Sequence, residues 1–336
     1  MDWFGPSEQW LPVAFAALMG LSILVYVCLD GFDLGVGLLF PFAEDAEKDR
    51  MVASIGPFWD ANETWLVLAV GILLVAFPAA HGMILTVLYL PVAVMLVGLI
   101  LRGVAFEFRA KCAAPQKPMW NRAFYYGSLM TSLSQGYMLG MYVMGLQVTW
   151  FTFAFSVVTA VFLTVAYSFI GATWLILKTD GALQQKAVAW SKGGIWGVVL
   201  GMGAVSLATP FVSPRIFDKW FSVPEMFLLL PLPLMAGGLV LILWLLLRDL
   251  PKSDDRLSWA PFAVTTVLFA LGFVGMAYSF YPYVVPETLT IYEAASAPDS
   301  LFIIFVGTLF VLPMIGAYSV LSYVIFRGKA TELRYD

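Results

Sequence analysis

Six charged residues stand inside segments that are otherwise apolar, and their types and spacing could support proton chemistry. They are Asp30, Asp33, Asp60, Glu63, Arg102 and Glu107. An ionised side chain near the centre of a bilayer costs about 2.5–3.5 kcal/mol on insertion scales, so such residues are few and normally face the protein interior. The presence of these six residues therefore calls for a functional or structural explanation.

The spacing of the acids places them on common helix faces. Asp30 and Asp33 are three residues apart, as are Asp60 and Glu63, which puts both carboxylates of a pair on the same side of a helix. The charged residues lie in three consecutive apolar segments joined by short connections, so we expect the three helices to be neighbours. The acids would then form a graded series that runs inward from the cytoplasm. Burial favours a neutral carboxyl group and a nearby cation such as Arg102 favours a charged one, so the series could load and release protons.

Two other interpretations of these acids remain open from the residues alone. The acids could pair with Arg102 or cap interrupted helices, and so merely hold three helices together. They could also bind a cation. The residues alone are thus compatible with a proton path, a structural cluster or a cation site.

The elements that position these residues are membrane spans. The chain has 336 residues, of which 61% are hydrophobic and 12% charged, and its mean hydropathy is +0.87. Such values lie outside the range of soluble domains and indicate an all-α polytopic protein forming one integral membrane domain over residues 1–336. Nine spans are predicted, at residues 11–42, 53–77, 83–105, 122–146, 151–177, 193–213, 225–247, 260–282 and 300–326.

The basic residues predict the orientation, because positive charge near short loops stays in the cytoplasm. Sixteen of the eighteen lie on alternate connections, and only Arg215 and Lys219 lie on the opposite side. The N-terminus is therefore expected outside and the C-terminus in the cytoplasm. The sixteen are Lys48, Arg50, Arg102, Arg109, Lys111, Lys117, Arg122, Lys178, Lys186, Lys192, Arg248, Lys252, Arg256, Arg327, Lys329 and Arg334.

Other features exclude several classes of site. The chain has one histidine, His81, and no CxxC, HExxH or P-loop pattern, so we expect no metal site and no catalytic residue of its own. The acidic balance and short loops give no nucleic-acid-binding face.

Two further patterns predict local structure. The charge run EDAEKDR (44–50) is typical of a solvated turn. Glycines at four-residue spacing, such as Gly31 with Gly35 and Gly193 with Gly197, predict close helix packing.

Six motifs together resemble one known family, subunit II of the cytochrome bd-type quinol oxidases. The similarity spans nearly the whole chain, and DANETWLV (60–67) with the short length resembles the cyanide-insensitive branch of the family. The motifs are DGFDLGVG (30–37), SIGPFWDANETWLVL (54–68), LRGVAFEFR (101–109), YSFIGATWLILKTDG (167–181), YPYVVPETLTIYEAAS (281–296) and YSVLSYVIFRGK (318–329).

The resemblance implies a fold and a set of partners. It implies two four-helix bundles plus one peripheral helix, paired with a larger subunit I as a heterodimer in the bacterial cytoplasmic (inner) membrane, often with a very small third subunit. The complex oxidises quinol and reduces dioxygen to water. Its b- and d-type haems and its quinol-oxidation site are expected on subunit I, while quinone binding within the present subunit stays open.

The resemblance also implies roles for particular residues. Subunit II would stabilise subunit I, and Asp33, Asp60 and Glu107 would belong to a cytoplasmic proton path with Arg102 as electrostatic partner. Asp30 and Glu63 are added to the path because they complete the acidic pairs. A competing prediction of a different class is a proton- or cation-coupled transporter that acts alone, although no second copy of the DGFD helix, as an inverted repeat would require, is visible.

Overall fold

The computed structural model describes residues 6–252 and 254–330, and most of them are helical. Within that part of the chain, nine helices have 18 residues or more. They are α1 (Ser7–Leu39), α3 (Trp59–Ala76), α4 (Pro78–Lys111), α5 (Lys117–Val143), α6 (Trp150–Lys178), α7 (Gly181–Val212), α10 (Pro231–Asp249), α11 (Ala260–Phe280) and α13 (Pro298–Ile325).

Short elements connect the long helices. They are the helices α2 (Asp45–Ile55), α8 (Pro214–Phe221), α9 (Glu225–Leu229) and α12 (Ile291–Ala294), two 3₁₀ turns (Phe40–Phe42 and Ala114–Gln116), and strands β1 (Tyr283–Val285) and β2 (Leu289–Thr290). The two strands form one antiparallel hairpin in which Tyr283 pairs with Thr290.

Each predicted span corresponds to one long helix, which confirms an all-α polytopic membrane fold. Among the described residues, eight helical segments are long and apolar enough to cross a bilayer, counting α9 and α10 as one segment interrupted at Leu230. The remaining long helix, α5, has 27 residues. Its hydropathy is lowered by small polar side chains such as Ser128, Thr131 and Ser132, which are buried.

The long helices form two groups of four. Helices α1, α3, α4 and α5 contact one another in the first group, and α6, α7, α10 and α11 do so in the second. Helix α13 lies outside both groups, against α1 and α3. The expected two bundles and peripheral helix are therefore present, with the interface between bundles formed mainly by α1 and α5 against α6.

Alternate connections meet at the same end of the molecule. At one end, Arg50 pairs with Asp180 at 2.8 Å, and the backbone N–H of Ala330 donates to the carbonyl of Lys178 at 2.7 Å. At the other end, the N–H of Ser296 donates to the carbonyl of Ala76 at 2.9 Å. This agrees with helices that alternate in direction, while the assignment of the basic end to the cytoplasm stays a prediction and Arg334 lies outside the described residues.

The run EDAEKDR is not a turn, as the sequence suggested, but opens the helix α2. Glu44 and Glu47 form a capping box, in which each side chain satisfies a free backbone N–H of the other residue. Lys186 on α7 then donates to both carboxylates at 2.9 Å. Partial desolvation would raise the pKa of Glu47, but the hydrogen bonds from Lys186 and from the Glu44 backbone lower it below its ordinary value.

Glycine sets the distance between the two bundles where α1 crosses α6. A Cβ atom on Gly171 would lie 2.5 Å from the carbonyl carbon of Gly35, and one on Gly35 would lie 1.9 Å from the carbonyl oxygen of Tyr167. Only glycine permits this approach. The glycine prediction is wrong for Gly193, because a Cβ atom there would meet nothing within 4 Å.

Replacing Gly171 with alanine should push α1 away from α6 and destabilise the protein by about 1–3 kcal/mol, the usual cost of overpacking a filled core. Gly193→Ala is the matched control, since it adds the same methyl group where there is room. The midpoint of thermal unfolding, followed by circular dichroism in detergent, should fall for Gly171→Ala only. Equal midpoints for the two variants would contradict the tight crossing.

Candidate functional site

A buried ion cluster joins α1, α3 and α4 inside the first bundle. The guanidinium Nη2 of Arg102 lies 2.6 Å from Asp30 Oδ1, and the same nitrogen also contacts the carboxylate of Glu63. Asp30 is fully buried and Arg102 is 2% exposed, whereas the Glu63 side chain is 28% exposed. Glu63 is therefore the member of the cluster that is open to the surroundings.

Asp33 belongs to the same site but is held by a different partner. Its Oδ2 accepts a hydrogen bond of 2.7 Å from the side-chain amide of Asn62, whose own oxygen accepts one of 3.1 Å from the Tyr323 hydroxyl. Asp33 and Asn62 are fully buried. The second acid of the DGFD motif is thus bound through an amide to the peripheral helix α13 and not to the cation.

Local sequence explains why these groups converge. Asp30 and Asp33 lie in the stretch of α1 that is buried between the two bundles, next to Gly31 and Gly35. Helix α3 begins at Trp59, directly after a turn at 56–58, so Asn62 and Glu63 lie in its first turns. Backbones that approach closely at glycines bring polar side chains of different helices within hydrogen-bonding distance.

The charges of the cluster do not balance when all of its acids are ionised. The cluster holds three carboxyl groups, from Asp30, Asp33 and Glu63, but one guanidinium, that of Arg102, which contacts Asp30 and Glu63. An uncompensated charge is costly in a buried site, and a proton on one carboxyl group removes that cost. Asp33 Oδ1 is buried, and no described residue forms a hydrogen bond with it.

The other oxygens of the cluster show why Asp30 differs from Asp33. Neither oxygen of Asp30 accepts a hydrogen bond of regular geometry, although Oδ1 is in ion-pair contact with Arg102. An adjacent cation favours the ionised form of a carboxyl group. Asp30 is in ion-pair contact with Arg102, whereas Asp33 accepts its hydrogen bond from the amide of Asn62.

A second set of hydrogen-bonded polar side chains extends from the cluster toward the second bundle. The Gln135 amide on α5 donates to the Tyr26 hydroxyl at 2.6 Å, and its oxygen accepts from the Tyr167 hydroxyl on α6 at 2.7 Å. Tyr26 lies one turn before Asp30 on α1. The polar site consequently reaches all four helices of the first bundle, together with α6 and α13.

Two predicted path residues lie outside the cluster. Asp60 is exposed in the first turn of α3, one turn before Glu63 and close enough to interact with it electrostatically. Glu107 lies near the end of α4, partly exposed, and pairs with Lys111 at 3.0 Å. The structure brings neither of them into contact with Asp33, so of the six predicted residues it groups only Asp30, Asp33, Glu63 and Arg102.

Sequence reasoning missed three polar partners of the site. Asn62, Gln135 and Tyr323 carry no charge of their own, and the sequence analysis was built on charged side chains. For Asn62 a signal was available, because it lies two residues after Asp60 and directly before Glu63 within the same motif. Tyr323 is distant in sequence, and only the packing of α13 against α3 reveals it.

The histidine content and the acidic side chains bear on which cofactors the chain could hold. None of their histidine, cysteine, aspartate and glutamate side chains form a group of three that could hold a metal ion. Haem iron is normally held by axial His, Met, Cys or Tyr side chains, and the single histidine, His81, lies partly exposed in the first turn of α4. The residues on this chain therefore do not fit the ligation of a haem by histidines.

Comparisons with known proteins agree on one family. The sequence model of the family described as cytochrome bd terminal oxidase subunit II matches residues 11–326. The chain is similar to cytochrome bd ubiquinol oxidase subunit 2 of Bacillus subtilis (strain 168), with 29% identity over 94% of this chain and 95% of the relative. It is also similar to cytochrome bd-I ubiquinol oxidase subunit 2 of Escherichia coli (strain K12), with 24% identity over 94% of each chain.

A solved structure shows the same fold. The bd oxidase from Geobacillus thermodenitrificans contains a chain that matches with a TM-score of 0.76 at 17% identity. The match covers 95% of the present chain and 99% of the other. At this identity the likeness concerns the arrangement of the helices.

Proposed function

The chain belongs to the family of cytochrome bd terminal oxidase subunit II, and from this premise we propose that it supplies the oxidase with a proton-uptake path. As a subunit II it is part of an oxidoreductase complex that contains haems and a partner subunit I. The finer proposal is that its buried carboxyl groups take up protons for dioxygen reduction and that its helices stabilise subunit I.

The observation that carries the proposal is the cluster of three carboxyl groups around one guanidinium. Reduction of dioxygen to water consumes protons, and a carboxyl group that can change its charge inside the membrane is a means of delivering them. Asp33 Oδ1 is buried without a hydrogen-bond partner. In this proposal Asp33, which does not contact Arg102, gains and loses the proton, and Arg102 compensates the charge of the neighbouring acids.

We infer an order for the path from the exposure of its members. Asp60, exposed, and Glu63, partly exposed, form the entrance, and Asp33 and Asp30 form the buried end. Glu63 and Asp30 contact the same nitrogen of Arg102, so the entrance and the buried end are close neighbours. Glu107 does not touch the cluster, so we place it at the mouth of the path, where its carboxylate would attract protons.

The remaining expectations concern the complex. We propose that the b- and d-type haems lie on subunit I, because the histidine content of this chain does not fit their ligation, and that quinol is oxidised there. Taking protons from the cytoplasm while quinol releases its own outside would generate a proton-motive force across the bacterial cytoplasmic membrane. The family resemblance also suggests a very small third subunit, and it leaves open whether a quinone binds within this chain.

The transporter that acts alone is not supported. The family model and the relatives described above are oxidase subunits. Purification of the tagged chain from native membranes tests the proposal directly. A coloured, haem-containing partner with quinol-dependent oxygen uptake is the expected result, and a colourless single chain that moves ions in liposomes would contradict it.

Removing the Tyr323 hydroxyl should slow turnover without preventing assembly. Tyr323→Phe deletes the hydrogen bond that positions Asn62 against Asp33, which is worth about 0.5–1.5 kcal/mol. We expect quinol-dependent oxygen uptake to fall about threefold, on the order of 0.7 kcal/mol, with an unchanged KM for quinol and normal haem content. Tyr318→Phe, on an exposed part of the same helix, is the control, and an equal response of both variants would refute the positioning role.

A further inference from the structure

A cavity between α7 and α10 lies outside the buried ion cluster and has the features of a binding site. It has a volume of about 370 Å³ and is lined by Lys192, Ile195, Trp244, Leu247 and Arg248. Both cations are exposed, whereas Ile195 and Leu247 are buried and form an apolar floor. The cavity therefore combines positive charge with hydrocarbon.

The two cations of the cavity have no ionic partner among the described residues. Lys192 forms no hydrogen bond or ion pair there, and the same holds for Arg248 although Asp249 follows it directly. Many other basic residues at this end of the molecule are paired with acids. These paired residues are Lys48, Arg50, Arg109, Lys111, Lys117, Lys186, Arg256 and Lys329.

The position of the cavity suits the headgroup region of a bilayer. Arg248 is the penultimate residue of α10, and Trp244 lies one turn deeper with 45% of its surface exposed. Tryptophan is enriched where apolar spans meet the polar interface. Further along the same two helices, Trp196 and Leu241 are exposed, so hydrocarbon chains that leave the cavity would meet apolar surface.

We propose that this cavity binds the phosphate of an anionic phospholipid, with the two cations on the headgroup and the acyl chains on the apolar floor. Basic pockets between membrane helices on the cytoplasmic side are suited to such headgroups, because phosphate satisfies two unpaired cations at once. A free phosphate ion would use the cations but not Ile195, Leu247 and Trp244. The apolar lining therefore favours a lipid.

Native mass spectrometry of the intact oxidase complex tests the proposal, with phosphatidylglycerol and phosphatidylcholine of equal chain length as probes. Each cation near the surface adds about 1 kcal/mol for anionic lipid, or about fivefold in affinity. Lys192→Gln/Arg248→Gln should thus bind phosphatidylglycerol about 25-fold more weakly than the wild type. Binding of phosphatidylcholine should be weak and the same in both.

Two further variants keep the test decisive. Arg122→Gln removes an exposed cation from α5, outside the cavity, that has no ionic partner among the described residues. This variant should bind phosphatidylglycerol like the wild type. Lys192→Arg/Arg248→Lys preserves both charges and should retain binding even if the neutral double variant fails to assemble.

Three results would overturn the lipid site. The first is equal affinity of the wild type for the two lipids, and the second is unchanged binding in an assembled neutral double variant. The third is displacement of phosphatidylglycerol by glycerol phosphate at equal concentration, which would show that the acyl chains contribute nothing and that the cavity takes a free phosphate. None of these readouts depends on oxidase activity.

Discussion

Replacing Arg102 with methionine is expected to destabilise the subunit by about 3–5 kcal/mol, the usual cost of removing one partner from a buried ion pair. The variant leaves Asp30 buried with no cation in contact, and it deprives Glu63 of the same partner. We expect a large loss of assembled, haem-containing complex from membranes. The free energy of unfolding in detergent should fall in parallel.

A second substitution separates charge from packing in this result. In Asp30→Asn/Arg102→Met both members of the ion pair are neutral, so part of the lost stability should return. Arg122→Met, which removes an exposed arginine from α5, is the control and should leave the yield of complex unchanged. Equal losses from Arg102→Met and the double variant would show that packing, not charge, accounts for the role of Arg102.

Asparagine at position 33 is expected to lower quinol-dependent oxygen uptake about tenfold or more, as is common when a positioned proton carrier is removed. The change is nearly isosteric, and the new side-chain oxygen can still accept the hydrogen bond from Asn62. It cannot carry a proton at this position. The haem content and the yield of complex should therefore stay close to those of the wild type.

The outcome of Asp33→Asn distinguishes the proton path from a structural cluster. If the acids only hold helices together, turnover should fall in proportion to haem content, or not at all. Asp254→Asn, in the exposed connection between α10 and α11, is the matched control for the loss of one carboxylate. Full turnover with full haem content in the Asp33 variant would remove Asp33 from the path.

Sequence alone was sufficient for the long helices and for the charged members of the ion cluster, although it also predicted Asp60 and Glu107, which lie outside the cluster. Apolar segments of about 20 residues have few alternatives to a membrane helix, and the rarity of intramembrane charge singled out Asp30, Asp33 and Arg102. Which of these acids contacts Arg102 could not be predicted. The sequence suggested Arg102 as the partner of the whole series, whereas the structure places it on Asp30 and Glu63 and gives Asp33 an amide.

Most of the missed features depend on contacts between segments distant in sequence. Tyr323 reaches Asn62 only because α13 packs on α3, 261 residues apart. The run at 44–50 forms a helix because Glu44 and Glu47 cap each other and then bind Lys186 on α7. Periodicity within one segment carries no information about the distant partners Tyr323 and Lys186, whereas the capping pair of Glu44 and Glu47 is local and could have been recognised from the sequence.

Proton uptake during a single turnover tests the central claim most directly. The complex carrying Asp33→Asn would be reduced by quinol in vesicles and mixed with oxygen, with a pH-sensitive dye on the side of Asp60. The account predicts that proton uptake slows about tenfold or more while the electron-transfer steps that need no proton keep their wild-type rates. Proton uptake at the wild-type rate in this variant would contradict the account.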